Sequence, residues 1–192
     1  MRIDPWFQSV MLCPPRILGR QLRPLSLGHV YILRKLDNPY IVVQGRKTTQ
    51  AFLAALMICG QTMQQNRDWL ASMETGWGQR KLKWWAWWIN HWRQWFVVAS
   101  LNFEQYLSDY TETPEHWEEV GDSGNPTHKG LRAPWEFHVH RILCQVYHMH
   151  PDEAWDCSLN LARAYFDCWA ESNGDDSLVT EREQELIELV RN

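Results

Sequence analysis

The chain has 192 residues, of which 45% are hydrophobic and 22% are charged. These proportions are ordinary for a folded protein, and they exclude wholesale disorder, a collagen-like repeat and a multi-span membrane protein. Only tryptophan is abnormally frequent, with 13 residues, so the chain has bulky, rigid side chains available for a core or for an interface.

The cysteines and the apolar segments indicate a protein of the cytoplasm. Five cysteines are scattered without a Cys-x-x-Cys pair, and the first residues lack the apolar stretch and cleavage site of a signal peptide. We therefore expect reduced thiols and a cytoplasmic location. The most hydrophobic window, 84–103, is interrupted by polar residues, which argues against a membrane-spanning helix. Arg80, Lys81 and Lys83 at one end of this segment leave a membrane-surface role as an alternative, but we expect no membrane partner.

The net charge of −4 conceals two strongly charged halves. Residues 1–96 carry 13 Lys and Arg against 4 Asp and Glu, a net charge of +9, whereas residues 97–192 carry 6 against 19, a net charge of −13. A basic half is typical of nucleic-acid binding. The interpretation that we favour is that the halves complement one another, within one chain or between the copies of a homo-oligomer.

The first predicted elements are a hairpin and a short helix. Residues 11–25 carry three prolines and a Gly-Arg pair between apolar runs, which predicts a β-hairpin or an extended arm. Ser26 is placed to cap a helix, and this helix should end at Asp37 and Asn38 because Pro39 disfavours helical geometry in the residue before it.

Further helical structure is predicted before the tryptophan-rich part of the chain. Thr48 or Thr49 caps an apolar helix that is rich in good helix formers and that Gly60 interrupts or ends. Helical structure continues over residues 61–73.

The segment from Arg80 to about Leu107 predicts one long amphipathic helix. Apolar residues follow one another at alternating steps of three and four, which is the pattern of a heptad seam that packs lengthwise on other helices. The seam consists of Leu82, Trp85, Ile89, Trp92, Phe96, Ala99, Phe103 and Tyr106. A second ridge, displaced by about 110° around the axis, consists of Trp84, Trp88, His91, Trp95 and Val98.

The second ridge has two interpretations. Both ridges are buried if the helix is sandwiched between neighbours of its own chain. Alternatively, the second ridge lies open as a surface for a partner helix or for another copy, since Trp is a favoured anchor of interfaces. On this hypothesis the partner-binding residues are Trp84, Trp88, His91 and Trp95.

The C-terminal third is predicted to form a second helical unit. Residues 108–133 are polar and punctuated by Pro and Gly, which predicts a linker or loop. Helices follow it, and the last one is an acidic helix that begins with a capping box at Thr180. The sequence thus predicts an all-α protein with an N-terminal domain over 1–107, a linker over 108–133 and an acidic helical domain over 134–192.

Histidines on either side of Cys144 raise the question of a metal site. On a helix, His140, Cys144 and His148 share one face at i, i+4 spacing, and a zinc site completed by Cys157 or Cys168 is the alternative hypothesis. We favour ordinary surface and half-buried histidines, and we expect no metal and no cofactor.

The motifs of common enzymes are missing from the sequence. There is no G-x-S-x-G, HExxH, Walker loop or GxGxxG, and paired acids lie in solvated polar stretches, so we expect no enzymatic activity. Residues 80–88, RKLKWWAWW, have the composition of a base-stacking platform. No nucleic-acid-reading motif accompanies them, so we do not favour nucleic acid as the partner.

Two stretches resemble a known family. Residues 17–40 are similar to the opening of proteins from tailed-phage structural operons, where an L-x-P-L-S-L-G-H run leads into the first helix; this run is residues 22–29 here. Residues 133–176 resemble the helical region that these proteins carry downstream. The family is the tail assembly chaperones, and the match covers about a third of the chain.

The resemblance implies a function. Tail assembly chaperones coat the hydrophobic tape-measure chain and recruit tail-tube subunits. A member would be a non-enzymatic assembly factor of the bacterial host cytoplasm, with the second ridge buried against a client and with oppositely charged halves aligning its copies.

Overall fold

A computed structural model describes residues 13–42, 45–74, 76–91, 93–111 and 133–174, without the side chains of residues 74, 77, 90 and 93–95. Within these ranges the chain forms a two-stranded hairpin followed by eight helices, which confirms the predicted all-α class with an N-terminal hairpin. The strands are β1 (Arg16–Ile17) and β2 (Arg20–Gln21), and the helices are α1 (Leu27–Lys35), α2 (Thr49–Cys59), α3 (Met63–Glu74), α4 (Trp77–His91), α5 (Arg93–Thr111), α6 (Trp135–Gln145), α7 (Pro151–Asp156) and α8 (Leu159–Ser172).

The hairpin and α1 follow from local sequence signals. Leu18 and Gly19 connect the antiparallel strands with φ of 49° and 77°, as a tight hairpin turn requires. Ser26 caps α1 in a capping box in which His29 takes the place usually filled by Glu or Gln. The helix ends at Lys35, two residues before the predicted end.

Helices α2 and α3 begin and end close to the predicted positions. The Thr48 hydroxyl accepts a hydrogen bond from the amide of Ala51 at 3.1 Å, so Thr48 rather than Thr49 is the cap of α2. Gly60 follows the last residue of α2 with an ordinary negative φ of −93°. The side chain of Asp156 accepts a hydrogen bond from the Met63 amide at 2.7 Å, which caps α3 from a distant part of the chain.

The predicted long helix is described as two helices, α4 and α5. Trp92, at their junction, lies outside the described residues. The seam faces the core: Ile89, Ala99, Phe103 and Tyr106 are buried, while Leu82, Trp85 and Phe96 pack against the buried residues. Phe52 of α2 contacts two of these rings, with centroid distances of 5.6 Å to Phe96 and 5.7 Å to Phe103. The seam therefore faces the core, where two of its rings pack on α2.

Helix α5 runs on to Thr111, so the chain is still helical over residues 108–111, where the sequence predicted a loop. The polar side chains of these residues do not prevent the helix, because Tyr110 adds a buried ring that packs at a tilt against Tyr106, with the ring centres 5.3 Å apart. The rest of the predicted linker, 112–132, and the predicted last helix after Thr180 lie outside the described residues.

The parts of the chain before and after the predicted linker share one core. A single hydrophobic cluster contains Leu33 and Phe52 together with Val139, Leu143 and Leu159. The backbone joins them as well: the Leu159 amide donates to the carbonyl of Leu25 at 2.6 Å, and the Leu27 amide donates to the carbonyl of Cys157 at 3.1 Å. The described residues thus form one packed body, not two separate cores.

The charge halves meet within this body. The ion pairs Arg34–Glu136 at 2.7 Å, Lys47–Glu104 at 3.0 Å and Arg67–Asp152 at 3.2 Å each join the basic half of the chain to the acidic half. The opposite charges of the two halves therefore attract one another within one chain.

Candidate partner-binding face

Three tryptophans of α4 point away from the core. Trp84, Trp87 and Trp88 expose 61%, 67% and 54% of their surface. Steps of three and four along a helix place residues on one side, and the opposite side of α4 is the buried one. We call Trp84, Trp87, Trp88 and the exposed His91 the tryptophan face.

The inner side of α4 is packed against other helices. Helix α4 packs on α2 and α3, with Ala86 and Ile89 buried against them. A crevice of only about 80 Å³ remains there, bordered by Met57, Trp69 and Trp85. Because the seam side chains already fill the contact, the second ridge stays outside.

The start of α4 is held close to the end of α3. Gly76 turns the chain with a φ of 76°, and a Cβ atom on Gly78 would lie 2.7 Å from the sulfur of Met73. Gly78 thus permits the approach that seats α4 on α3. This packing decides which side of α4 faces solvent.

Three of the four predicted partner-binding side chains lie on the tryptophan face. Trp84, Trp88 and His91 are exposed on one side of α4, while the side chain of Trp95 is outside the described residues. The sequence-based prediction omitted Trp87, although Trp87 lies three residues after Trp84 and one before Trp88. A wider definition of the second ridge would have included it. That these residues bind a partner stays a prediction.

Exposed apolar residues also occur on α5. Val97, Val98 and Leu101 expose between 51% and 60% of their surface. They extend the apolar surface of the tryptophan-rich segment beyond α4.

Basic residues flank the tryptophan face. Lys81 and Lys83 are exposed, and at about 100° per residue they lie on either side of the line from Trp84 to Trp88. Arg80, one turn before Trp84, is exposed too. The Nζ atom of Lys81 lies 6.0 Å from the ring centre of Trp85, so this cation also contacts the aromatic seam.

A positively charged groove opens beside the face. It has a volume of about 760 Å³, and its lining includes Arg46, Lys47, Lys83 and Trp87 together with the start of α2. Lys47 is anchored at its side by Glu104 and by the ring of Tyr40, whose centre is 5.4 Å from Nζ. The groove combines cations with an exposed indole, so an acidic group carried on an apolar segment fits it by charge and by polarity.

The proposed zinc ligands are not brought together as the spacing suggested. Helix α6 ends at Gln145, so His148, with a φ of 54°, is not on it. The ring of His140 stacks on Trp155 with centroids 4.4 Å apart, and its Nε2 hydrogen-bonds the carbonyl of Pro151 at 3.0 Å. Cys144 lies beside it, with Sγ 3.8 Å from that nitrogen. Over the described ranges, no three His, Cys, Asp or Glu side chains form a group that could hold a metal ion.

One histidine is fully buried and structural. The Nδ1 atom of His29 accepts a hydrogen bond from the Ser26 amide at 3.1 Å, and Nε2 lies 2.7 Å from the carbonyl oxygen of Gln61. Since a carbonyl only accepts, Nε2 carries the proton and the ring is neutral. Burial lowers the pKa of His29 to about 4, so the ring joins α1 to the α2–α3 turn as an uncharged group.

Fold and surface together define a helical protein with an exposed aromatic and basic face. No protein-family model matches this chain, and the searches of curated proteins and of solved structures give no match either. Among the helices of the described residues, none combines the length and the apolar character needed to cross a membrane.

Proposed function

We propose that this protein is a non-enzymatic assembly factor that shields an apolar helical segment of another protein with its tryptophan face. The observation that supports the proposal is the row of three tryptophans on α4, each more than half exposed. Soluble proteins rarely expose neighbouring large apolar side chains unless a partner covers them. Trp is moreover a preferred anchor of interfaces.

The size of the face suits reversible binding. If each indole offers about 200 Å², the exposed fractions of 54–67% amount to roughly 360 Å², or about 9 kcal/mol at ~25 cal/mol per Å². Association costs on the order of 4–15 kcal/mol. The three rings alone therefore give weak binding, and flanking contacts must add to it, as an assembly factor that leaves its client requires.

The resemblance to tail assembly chaperones supplies the class of client. On this proposal the client is a tape-measure or tail-tube protein of a tailed phage, met in the cytoplasm of the bacterial host. An apolar helix of that client lies along α4 as a helix in a groove. Several copies of the factor would cover a long client side by side.

Binding measurements on single variants test the proposal. A tape-measure protein of a tailed phage, the client that the proposal names, is co-expressed with the wild type, with Trp84→Ala or with Trp88→Ala, and complex formation is measured by pull-down and calorimetry. Leu36→Ala is the matched control, because Leu36 is 47% exposed and follows the last residue of α1, so it is not part of the tryptophan face on α4. We expect each Trp variant to weaken binding at least tenfold, and the control to bind like the wild type.

The proposal fails if the wild type does not bind the client, or if the Trp variants bind as tightly as it does. Unfolding curves of the same variants must accompany the binding data. Loss of binding by a variant that has kept its stability supports the interface.

A second candidate is nucleic-acid binding in the basic groove, favoured by the three cations beside Trp87. Single-stranded DNA would stack on this indole while its phosphates contact Arg46, Lys47 and Lys83. The affinity should then fall steeply with salt and drop on Trp87→Ala. Salt-independent or absent DNA binding excludes this candidate and leaves the first untouched.

A further inference from the structure

We propose that residues 175–192 of the same chain cover the tryptophan face and the basic groove when no client is bound. This inference rests on the proposed function, because it gives the client's site an internal competitor. The segment matches the face in charge and in polarity, and it is long enough to span much of the molecule.

Charge selects an acidic occupant. Arg80, Lys81 and Lys83 surround the tryptophans, and Arg46 and Lys47 stand at the adjacent groove. Residues 175–192 contain six acidic residues against two arginines, a net charge of −4. Opposite charges on two surfaces favour their association and suppress wrong partners.

The distribution of apolar residues favours residues 175–192 over the other acidic segment of the chain, residues 112–122. The sequence predicts an amphipathic helix after Thr180 whose apolar residues are Leu186, Ile187, Leu189 and Val190. Residues 112–122 are also acidic, but their apolar residues are Trp117 and Val120 alone. Only the C-terminal segment pairs a continuous apolar face with flanking carboxylates, as the tryptophan face pairs indoles with flanking amines.

The length of the segment is comparable with the diameter of the molecule. A folded chain of 192 residues has a radius of gyration of about 16 Å, hence a diameter of roughly 40 Å. If residues 180–192 are helical at ~1.5 Å per residue and the five preceding residues are extended at ~3.3 Å, the segment reaches about 35–40 Å beyond Gly174. A tethered segment also acts at millimolar effective concentration, which a free client must overcome.

The described ion pairs follow the same rule. Each of the three joins the basic half to the acidic half of one chain. Covering the face with residues 175–192 would add a further contact between the two halves, at Arg80, Lys81 and Lys83, which form the densest basic cluster of the sequence.

Zero-length carbodiimide cross-linking of the intact protein tests the proposal without any client. This reagent joins a lysine amine to a carboxylate in direct contact, and the chain has only five lysines: Lys35, Lys47, Lys81, Lys83 and Lys129. The expected products link Lys81 or Lys83 to Glu181, Glu183, Glu185 or Glu188. The Lys47–Glu104 ion pair, at 3.0 Å, is the internal positive control.

Mixing copies of natural and ¹⁵N-labelled protein before cross-linking identifies the molecule that supplies the segment. We expect only cross-linked products in which both peptides carry the same isotope. Products that join a labelled to an unlabelled chain would overturn the proposal, as would links from Lys81 and Lys83 to residues 112–122. Recovery of the Lys47–Glu104 product without any C-terminal product would overturn it as well.

A second readout does not depend on reactive carboxylates. Changing Glu181, Glu183, Glu185 and Glu188 together to Gln should release the segment and raise the fluorescence of bound anilinonaphthalene sulfonate at least twofold. The matched control changes Glu112, Glu115, Glu118 and Glu119 to Gln and should leave the fluorescence unchanged. Adding Trp84→Ala and Trp88→Ala to the first variant should remove the increase, and equal fluorescence of both Gln variants contradicts the proposal.

Failure here is distinguishable from failure of the proposed function. Without the C-terminal contact, the tryptophan face can still bind its client, and the Trp variants still test that binding. Conversely, cross-links to residues 181–188 can be found in a protein that binds no tape-measure segment.

Discussion

Acidification should destabilise this protein through the buried histidine. His29 is 1% exposed, and burial lowers the pKa of its imidazole from 6.5 to about 4. The unfolded chain therefore binds a proton over a pH range in which the folded chain does not. Because the unfolded state binds more protons, the free energy of unfolding must fall as the pH falls through this range.

The magnitude follows from the two pKa values. The contribution of His29 is fully present above about pH 7.5, about 2 kcal/mol of it is lost at pH 5, and about 3 kcal/mol is lost at pH 4, below which the loss levels off. The structure gives the reason for the cost. A protonated Nδ1 could no longer accept the Ser26 amide hydrogen bond of 3.1 Å, and the charge would lie in a dry site.

Urea unfolding followed by circular dichroism between pH 8 and pH 4 measures the effect. Carboxylates titrate in the lower part of this range too, so the informative quantity is the difference between the wild type and His29→Gln. Gln at this position is a standard capping-box residue that can accept from Ser26 without titrating. His148→Gln, which changes an exposed ring, is the control.

We expect the wild type and His148→Gln to lose stability in parallel between pH 7 and pH 5, and His29→Gln to lose about 2 kcal/mol less. Parallel curves for all three proteins would refute the assignment of His29 as a buried neutral group.

Burial and ion pairing lead to three other predictions. Trp88→Ala should change the free energy of unfolding by less than about 1 kcal/mol, whereas Ile89→Ala, at the buried neighbouring position, should lower it by about 2–5 kcal/mol. Equal losses in denaturant titrations would mean that the indole of Trp88 is packed. Arg34→Met should lower the free energy of unfolding by about 1–2 kcal/mol, because the carboxylate of Glu136, 1% exposed, then has no cation beside it. Adding Glu136→Gln should recover part of this loss in a double-mutant cycle. Maleimide should label the exposed Cys13 and Cys168 within minutes in the native protein. Cys59 should be labelled only after unfolding, since burial raises the pKa of its thiol to about 12. Rapid labelling of Cys59 in the native protein, detected by peptide mass, would contradict this prediction.

Several features could be predicted because short stretches of sequence determine them. The Ser26 and Thr48 caps are settled within four residues by hydrogen bonds between a side chain and a nearby amide. The seam on α4 and α5 is a matter of periodicity, and a period of three and four residues leaves one side of a helix apolar in any context. The all-α class follows from the accumulation of such signals.

Other features needed the tertiary structure. His148 could be aligned with His140 and Cys144 only on a continuous helix, and the sequence has no signal strong enough to show that α6 stops at Gln145. The capping role of Asp156 on α3 joins residues 93 positions apart in the chain. The burial of His29 likewise depends on a carbonyl from the α2–α3 turn.

The tryptophan-rich segment shows the division most clearly. Sequence alone determined that it carries two apolar ridges, because the side-chain directions of a helix repeat along its own axis. It could not determine which ridge is covered, because that depends on where other helices pass. The packing of α4 on α2 and α3 decided this by filling one side with Ala86 and Ile89 and leaving Trp84, Trp87 and Trp88 in contact with solvent.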